Sequence, residues 1–146
     1  MAAFTFPLTA DGLALEVVIG LDGQSTVDLQ AQGLPGPAPI AVQALIDTGS
    51  DVSVVTPRVV AQTGLAFHSS SSTRSAIGSA GVSLFQASMT IYGPAGVAGP
   101  SLVIPYLLVM QALGPLPVGD VLVGLDVLAG CLLLVDGPRR QFTLSF

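Results

Sequence analysis

Apolar residues in this chain come in short runs cut by glycine, proline and polar clusters. The runs are rich in Val, Ile, Leu and Thr, which suits strands better than helices. Leu13 to Leu21 (LALEVVIGL) reads as a strand, Asp22-Gly23 as a hairpin turn, and Ser25 to Gln30 (STVDLQ) as the alternating strand that returns from it. Gly33 to Pro39 is a Pro-rich connection. Ile40 to Ile46 (IAVQALI) is a mostly apolar run ending at Asp47-Thr48-Gly49, and Val52 to Val55 resumes the strand pattern. Thr56-Pro57 places a hydroxyl before a proline, as a helix start does, and that short helix ends at Gly64. After a serine run, Ser69 to Ser72, two strand-like stretches, Ser72 to Ile77 and Val82 to Tyr92, flank Gly78-Ser79-Ala80-Gly81. Gly93 to Pro100 is a loop, Ser101 to Met110 and Val121 to Val123 are buried-looking strands, and Leu125 to Ala129 is one helical turn. Cys131 to Asp136 then pairs with Gln141 to Phe146 across Gly137-Pro138. The pattern predicts an all-β chain with one or two short helices. It holds no repeat and no dividing linker, so residues 1–146 are expected to form one domain.

Composition narrows the function. The chain is 51% hydrophobic and 9% charged, with four arginines, no lysine and a net charge of −5. Phosphate binding needs clustered Lys and Arg, so nucleic acid is not an expected partner. Disordered chains are poor in apolar residues and rich in charge, the opposite of this one. One cysteine, Cys131, leaves no internal disulfide, and one histidine, His68, leaves no multi-ligand metal site; neither metal nor cofactor is expected. Mean hydropathy is +0.78, which raises the question of a membrane. A spanning helix needs about 20 apolar residues. The most apolar stretch, Val121 to Val135, has 15 and is broken by Gly124, Asp126 and Gly130, while Leu102 to Leu113 is cut by Pro105. The first residues have no basic start and no sustained apolar run, so no signal peptide is expected. The expectation is a soluble cytoplasmic protein, with no membrane partner, whose surplus apolar surface meets another subunit.

Chemistry concentrates at Ile46-Asp47-Thr48-Gly49-Ser50-Asp51, between the apolar strand and Val52-Ser53-Val54-Val55. Burial of both flanks puts the Asp47 carboxylate on a tight turn between core strands, where a charge is costly unless it is satisfied or shares a proton. Asp and Gly are also ordinary surface-turn residues, so the motif alone admits either reading. About 75 residues later comes Val121-Leu122-Val123-Gly124-Leu125-Asp126-Val127-Leu128. Here Asp126 reads as a helix N-cap rather than a catalyst. His68 reads as a partly exposed loop residue, since no Gly-x-Ser-x-Gly elbow accompanies it. Cys131 reads as a buried structural thiol, and Arg139-Arg140 as a solvated turn.

The two motifs in this order resemble the retropepsin-like aspartic proteases, of the single-domain bacterial kind, over about Ile40 to Phe146. The resemblance implies a closed β-barrel with one lobe per chain, in which Leu122, Val123 and Gly124 thread beside the Asp47 loop. It also implies a final strand, Gln141 to Phe146, in the place of the family's dimer-forming strand. Such enzymes activate water between two carboxylates that share a proton, because like charges about 3 Å apart cannot both ionise. This chain has a single Asp-Thr-Gly, so the resemblance implies a homodimeric aspartic endopeptidase with Asp47 from each subunit on the two-fold axis.

By the same resemblance, Thr48 hydroxyls hydrogen-bond across the dimer, and Gly49 keeps the backbone bare for the substrate. Ser50 stands where viral members usually have alanine and pepsins have serine. A hydroxyl donating to the carboxylate would favour its charged form and an acidic pH optimum. The hairpin Ile77, Gly78, Ser79, Ala80 and Gly81 takes the place of the flap over an extended peptide or protein substrate, with Asp51 and Gly49 also lining its path. Apolar composition near the site predicts cleavage between hydrophobic residues. Leu125 stands where retroviral members carry an arginine that pairs with the acid matching Asp51. Asp51 therefore meets Arg58 or Arg74, faces substrate, or stays solvated, and the viral style of dimer bracing is broken. Two other readings are a non-proteolytic dimerisation or peptide-binding module of the same fold, and an apolar-ligand β-barrel. The latter gives the carboxylate no task.

Overall fold

The computed structural model describes residues 1–146. In chain order the elements are β1 (Ala3–Pro7), β2 (Ala14–Gly20), α1 (Gly23–Ala31), β3 (Ile40–Ile46), β4 (Val54–Val55), α2 (Pro57–Thr63) and β5 (Ala66–Ser75). There follow β6 (Gly78–Ile91), β7 (Leu102–Gln111), β8 (Val121–Val123), α3 (Leu125–Leu128), β9 (Leu132–Asp136) and β10 (Gln141–Ser145). Period-two burial drives the strands: in β2, Leu15, Val17 and Ile19 turn inward while Glu16 stays out, and in β3, Val42, Ala44 and Ile46 do the same.

The larger sheet runs β2-β3-β8-β4-β7-β6-β5, and β2 also pairs with β6, so six strands close into a ring with β5 appended on β6. The ring holds a core of Val, Ile, Leu and Met side chains, among them Val17, Ile19, Val55, Met89, Ile91, Val109, Val121 and Val123. A register shift between Ala87 and Met89 lets the long β6 leave β5 and meet β2. A smaller sheet, β1-β10-β9, covers the ring with Phe4, Phe6, Phe142 and Leu144 inward. Phe6 stacks on Phe142 at 5.2 Å between ring centroids.

Several expectations are corrected. Asp22-Gly23 starts a helix rather than a hairpin: the buried Asp22 carboxylate accepts from the Gln24 amide at 3.0 Å, the Ser25 amide at 3.0 Å and the Ser25 hydroxyl at 2.5 Å. Ser25 to Gln30 is therefore helical, and three helices stand where one or two were expected. No residue of α1 is buried, so no apolar stripe marks it in the sequence. The serine run lies inside β5, an edge strand whose side chains need not be apolar, and the hairpin turns at Ala76-Ile77 instead of Gly78 to Gly81. Residues 3–7, given no element from the sequence, form β1 and pair with β10. β10 is thus hydrogen-bonded on both edges within its own chain, to β1 and β9, and has no edge left for a second copy. His68 sits in β5 at a register shift, exposed, rather than in a loop. Cys131 is half-buried rather than buried, and that burial pushes its thiol pKa up.

Candidate active site

β3 ends at Ile46 and leads straight into the Asp47 loop because β8 runs parallel beside it, matching Ala44 to Val121 and Ile46 to Val123. The Asp47 amide continues the ladder, donating to the Val123 carbonyl at 3.0 Å. The loop then folds on itself: the Gly49 amide donates to Asp47 Oδ1 at 2.9 Å and the Ser50 amide to the Asp47 carbonyl at 3.2 Å. A Cβ at residue 49 would sit 3.2 Å from Asp47 Oδ1, so glycine leaves the carboxylate room beside that amide. Asp47 is half-buried, and Thr48 and Gly49 are exposed.

The second sequence motif holds this loop from beneath. The Leu125 amide donates to the Ser50 carbonyl at 2.8 Å and the Asp126 amide to the Asp51 carbonyl at 3.2 Å. Asp126 in turn receives the Ser53 amide and the Ser53 hydroxyl, each at 2.8 Å. The fully buried Ser53 hydroxyl also accepts from the Gly124 amide at 3.0 Å. Contact is closest at Gly124, where a Cβ would lie 2.7 Å from the Val52 carbonyl carbon and 2.9 Å from the Ser50 oxygen; only glycine fits. Helix α3 starts at Gly124, its N-cap, so Asp126 is not the cap expected from the sequence but an anchor for Ser53. Sequence reading missed Ser53, whose only visible signal is a small polar residue inside an apolar run.

A cleft of about 520 Å³ opens between the Asp47 loop and the β5–β6 hairpin. Its floor is Asp47, Gly49, Ser50 and Asp51; its far wall is Ser71, Ser72, Thr73 and Arg74 of β5 with Val82 and Leu84 of β6. Four consecutive residues of β5 line it, so that strand presents its edge, whereas alternate residues of β6 present a face. β5 pairs only with β6, and its outer backbone edge is free. The expected flap residues Ile77, Gly78, Ser79, Ala80 and Gly81 stand beyond the cleft, all exposed, with Ile77 at 99%.

Two expectations about polar partners change. The Ser50 hydroxyl donates to the Val52 carbonyl at 2.6 Å, so it shapes the loop rather than bonding Asp47. Arg58 is held by Asp120, which also accepts the Thr56 hydroxyl at 2.8 Å, and is unavailable to Asp51. The Arg58 hydrogen bond holds the Asp120 carboxyl below its ordinary range, against an opposing push from burial. The Arg139-Arg140 turn is solvated as expected, and the exposed Arg139 pairs with Asp136 at 2.9 Å. Asp51 and Arg74 both line the cleft and neither joins an ion pair. No three His, Cys, Asp or Glu side chains come together as a metal site, and no helix is long and apolar enough to cross a membrane.

Among solved structures, the chain is similar to a retropepsin-like aspartic protease from Rickettsia conorii, with a TM-score of 0.55. The match covers 99% of this chain and 91% of the other, at 14% sequence identity. The chain has the retropepsin-like fold. No protein-family model and no curated protein matches it. At that identity the likeness speaks for the fold, and the case for activity rests on the side chains of the cleft.

Proposed function

We propose that the chain is one half of a homodimeric aspartic endopeptidase, in which Asp47 of each copy flanks an activated water. The observation that carries this reading is the Asp47 loop itself. Six hydrogen bonds from or to Val123, Gly124, Leu125 and Asp126 fix residues 47 to 53 at the floor of an open cleft. A plain surface turn needs no such clamp. One carboxylate takes the proton of the attacking water while its protonated partner polarises the scissile carbonyl. The shared proton requires an acidic working range without help from Ser50.

Each chain contributes one Asp-Thr-Gly, so the second carboxylate comes from a second copy. The exposed Thr48 is available to that copy. The family's terminal strand is not, since β10 is occupied on both edges. Of the two free edges of the smaller sheet, β1 ends in Pro7, while β9 exposes Leu132, Leu134 and Val135. An apolar edge of that kind, charged only at its last residue, Asp136, pairs readily with another chain, and we assign it to the dimer. Substrate lies extended along the free edge of β5, adding main-chain hydrogen bonds as a strand does, with the Ile77 tip above it.

The test is peptide digestion between pH 3 and 6, read by mass spectrometry. The wild type cleaves, and Asp47→Asn lowers the rate by about 10²–10⁴-fold or more. Equal cleavage by both would remove Asp47 from the chemistry. Binding without cleavage, unaffected by Asp47→Asn, would leave the non-proteolytic module as the reading.

A further inference from the structure

We infer that Arg74 selects the substrate by receiving an acidic side chain of the peptide in the cleft; this rests on the reading of the cleft as a peptide-binding site. Four arginines supply all the Lys and Arg charge of the chain. Arg58 is held by Asp120 and Arg139 by Asp136, while Arg140 lies in the β9–β10 turn. Arg74 is the single cation lining the cleft, and no carboxylate of the chain comes within ion-pair distance of it.

Its surroundings give it a direction. Neither β5 nor β6 carries a carboxylate, and beside Arg74 the strand offers only the hydroxyls of Ser71, Ser72 and Thr73. Across the cleft, Asp47 and Asp51 make the floor negative. An acidic side chain is therefore drawn to the hairpin wall and pushed off the floor, whereas a basic one is drawn to the floor. A peptide laid along the β5 edge turns alternate side chains to opposite sides, so one substrate position meets Arg74. Guanidinium pairs carboxylate through two parallel hydrogen bonds, which makes the choice specific. The remaining apolar lining, Val52, Val82, Leu84 and Met110, suits hydrophobic residues at neighbouring positions. The chemical class is thus a peptide that is apolar near the scissile bond with one Asp or Glu at a fixed distance from it. Cleavage between hydrophobic residues, the expectation from composition, is kept, and peptides lacking the acidic residue are poorer substrates.

The experiment compares wild type, Arg74→Gln and Arg74→Glu on peptides carrying Glu, Gln or Lys at each position in turn, with melting curves as the folding control. The wild type prefers Glu over Lys at one position by about tenfold or more in kcat/KM. R74Q flattens that preference and R74E inverts it toward Lys. A preference that survives R74E unchanged overturns the inference. So does a wild type without any preference. In that case equal, non-additive losses in Arg74→Gln and Asp51→Asn would identify an Arg74–Asp51 latch instead. If no peptide is hydrolysed at all, the same peptides are titrated for binding. Glu over Lys in the wild type, inverted in R74E, then upholds the inference while the hydrolytic reading fails; equal affinities overturn it.

Discussion

At the scale of single residues, the site depends on a buried hydroxyl that looks unimportant in the sequence. Ser53 accepts from the Gly124 amide and donates to Asp126, so it ties both motifs together. Ser53→Ala leaves the buried Gly124 amide without a partner, and we expect a loss of about 1–3 kcal/mol in urea denaturation. Because the loop it holds carries Asp47, kcat should fall more than KM rises. A stability change under about 0.5 kcal/mol would show that the clamp is dispensable. Gly124→Ala forces a Cβ into the Val52 carbonyl and should be worse still. Asp47 and Gly124 were legible because loop chemistry and close packing demand particular residue types. Ser53 and the Asp120–Arg58 pair were not, since each depends on a partner more than 60 residues away. Arg74 was legible only as one candidate partner of Asp51, because its place on a strand edge facing the cleft leaves no mark in the sequence.

Elements were legible where burial imposed a period and obscure where it did not. The ring strands β2, β3, β6 and β8 bury alternate or continuous apolar residues, and their sequence runs say so. β7, expected from its apolar run to be a buried strand, buries only Val109 and leaves Val103, Tyr106 and Leu108 exposed. Helix α1 buries nothing and is fixed by its cap, so its residues read as an alternating strand. Burial alone would raise the Asp22 carboxyl, but hydrogen bonds from the Ser25 hydroxyl, the Ser25 amide and the Gln24 amide outweigh it and hold the pKa below the ordinary 3.8. A folded pKa below the unfolded one means that this contribution is complete above the unfolded value. It is lost as pH falls through the lower folded value. Amide hydrogen exchange should find α1 intact through the weakly acidic range and opening below it. Asp22→Ala should cost about 1 kcal/mol and expose α1 at every pH; an α1 equally protected in that variant would contradict the cap. Serine-rich β5 is obscure for a related reason: an edge strand open to solvent carries no hydrophobic signature.

At the scale of the whole molecule, the ring and its covering sheet present a single Asp-Thr-Gly and one unpaired apolar edge. Leu134, 60% exposed on β9, is the residue through which we expect that edge to report on assembly. Leu134→Asp should shift the solution mass from two chains toward one, and peptide hydrolysis should fall with it. A variant that keeps both would move the dimer contact elsewhere. The central claim is that two chains build one catalytic centre. Its most direct test refolds the wild type together with an equal amount of Asp47→Asn chain and measures peptide hydrolysis. Random pairing in a two-fold dimer leaves about half of the activity that the same wild-type protein has alone, because mixed pairs are dead. Activity undiminished by the added chains would mean that each chain works by itself, and would contradict the account.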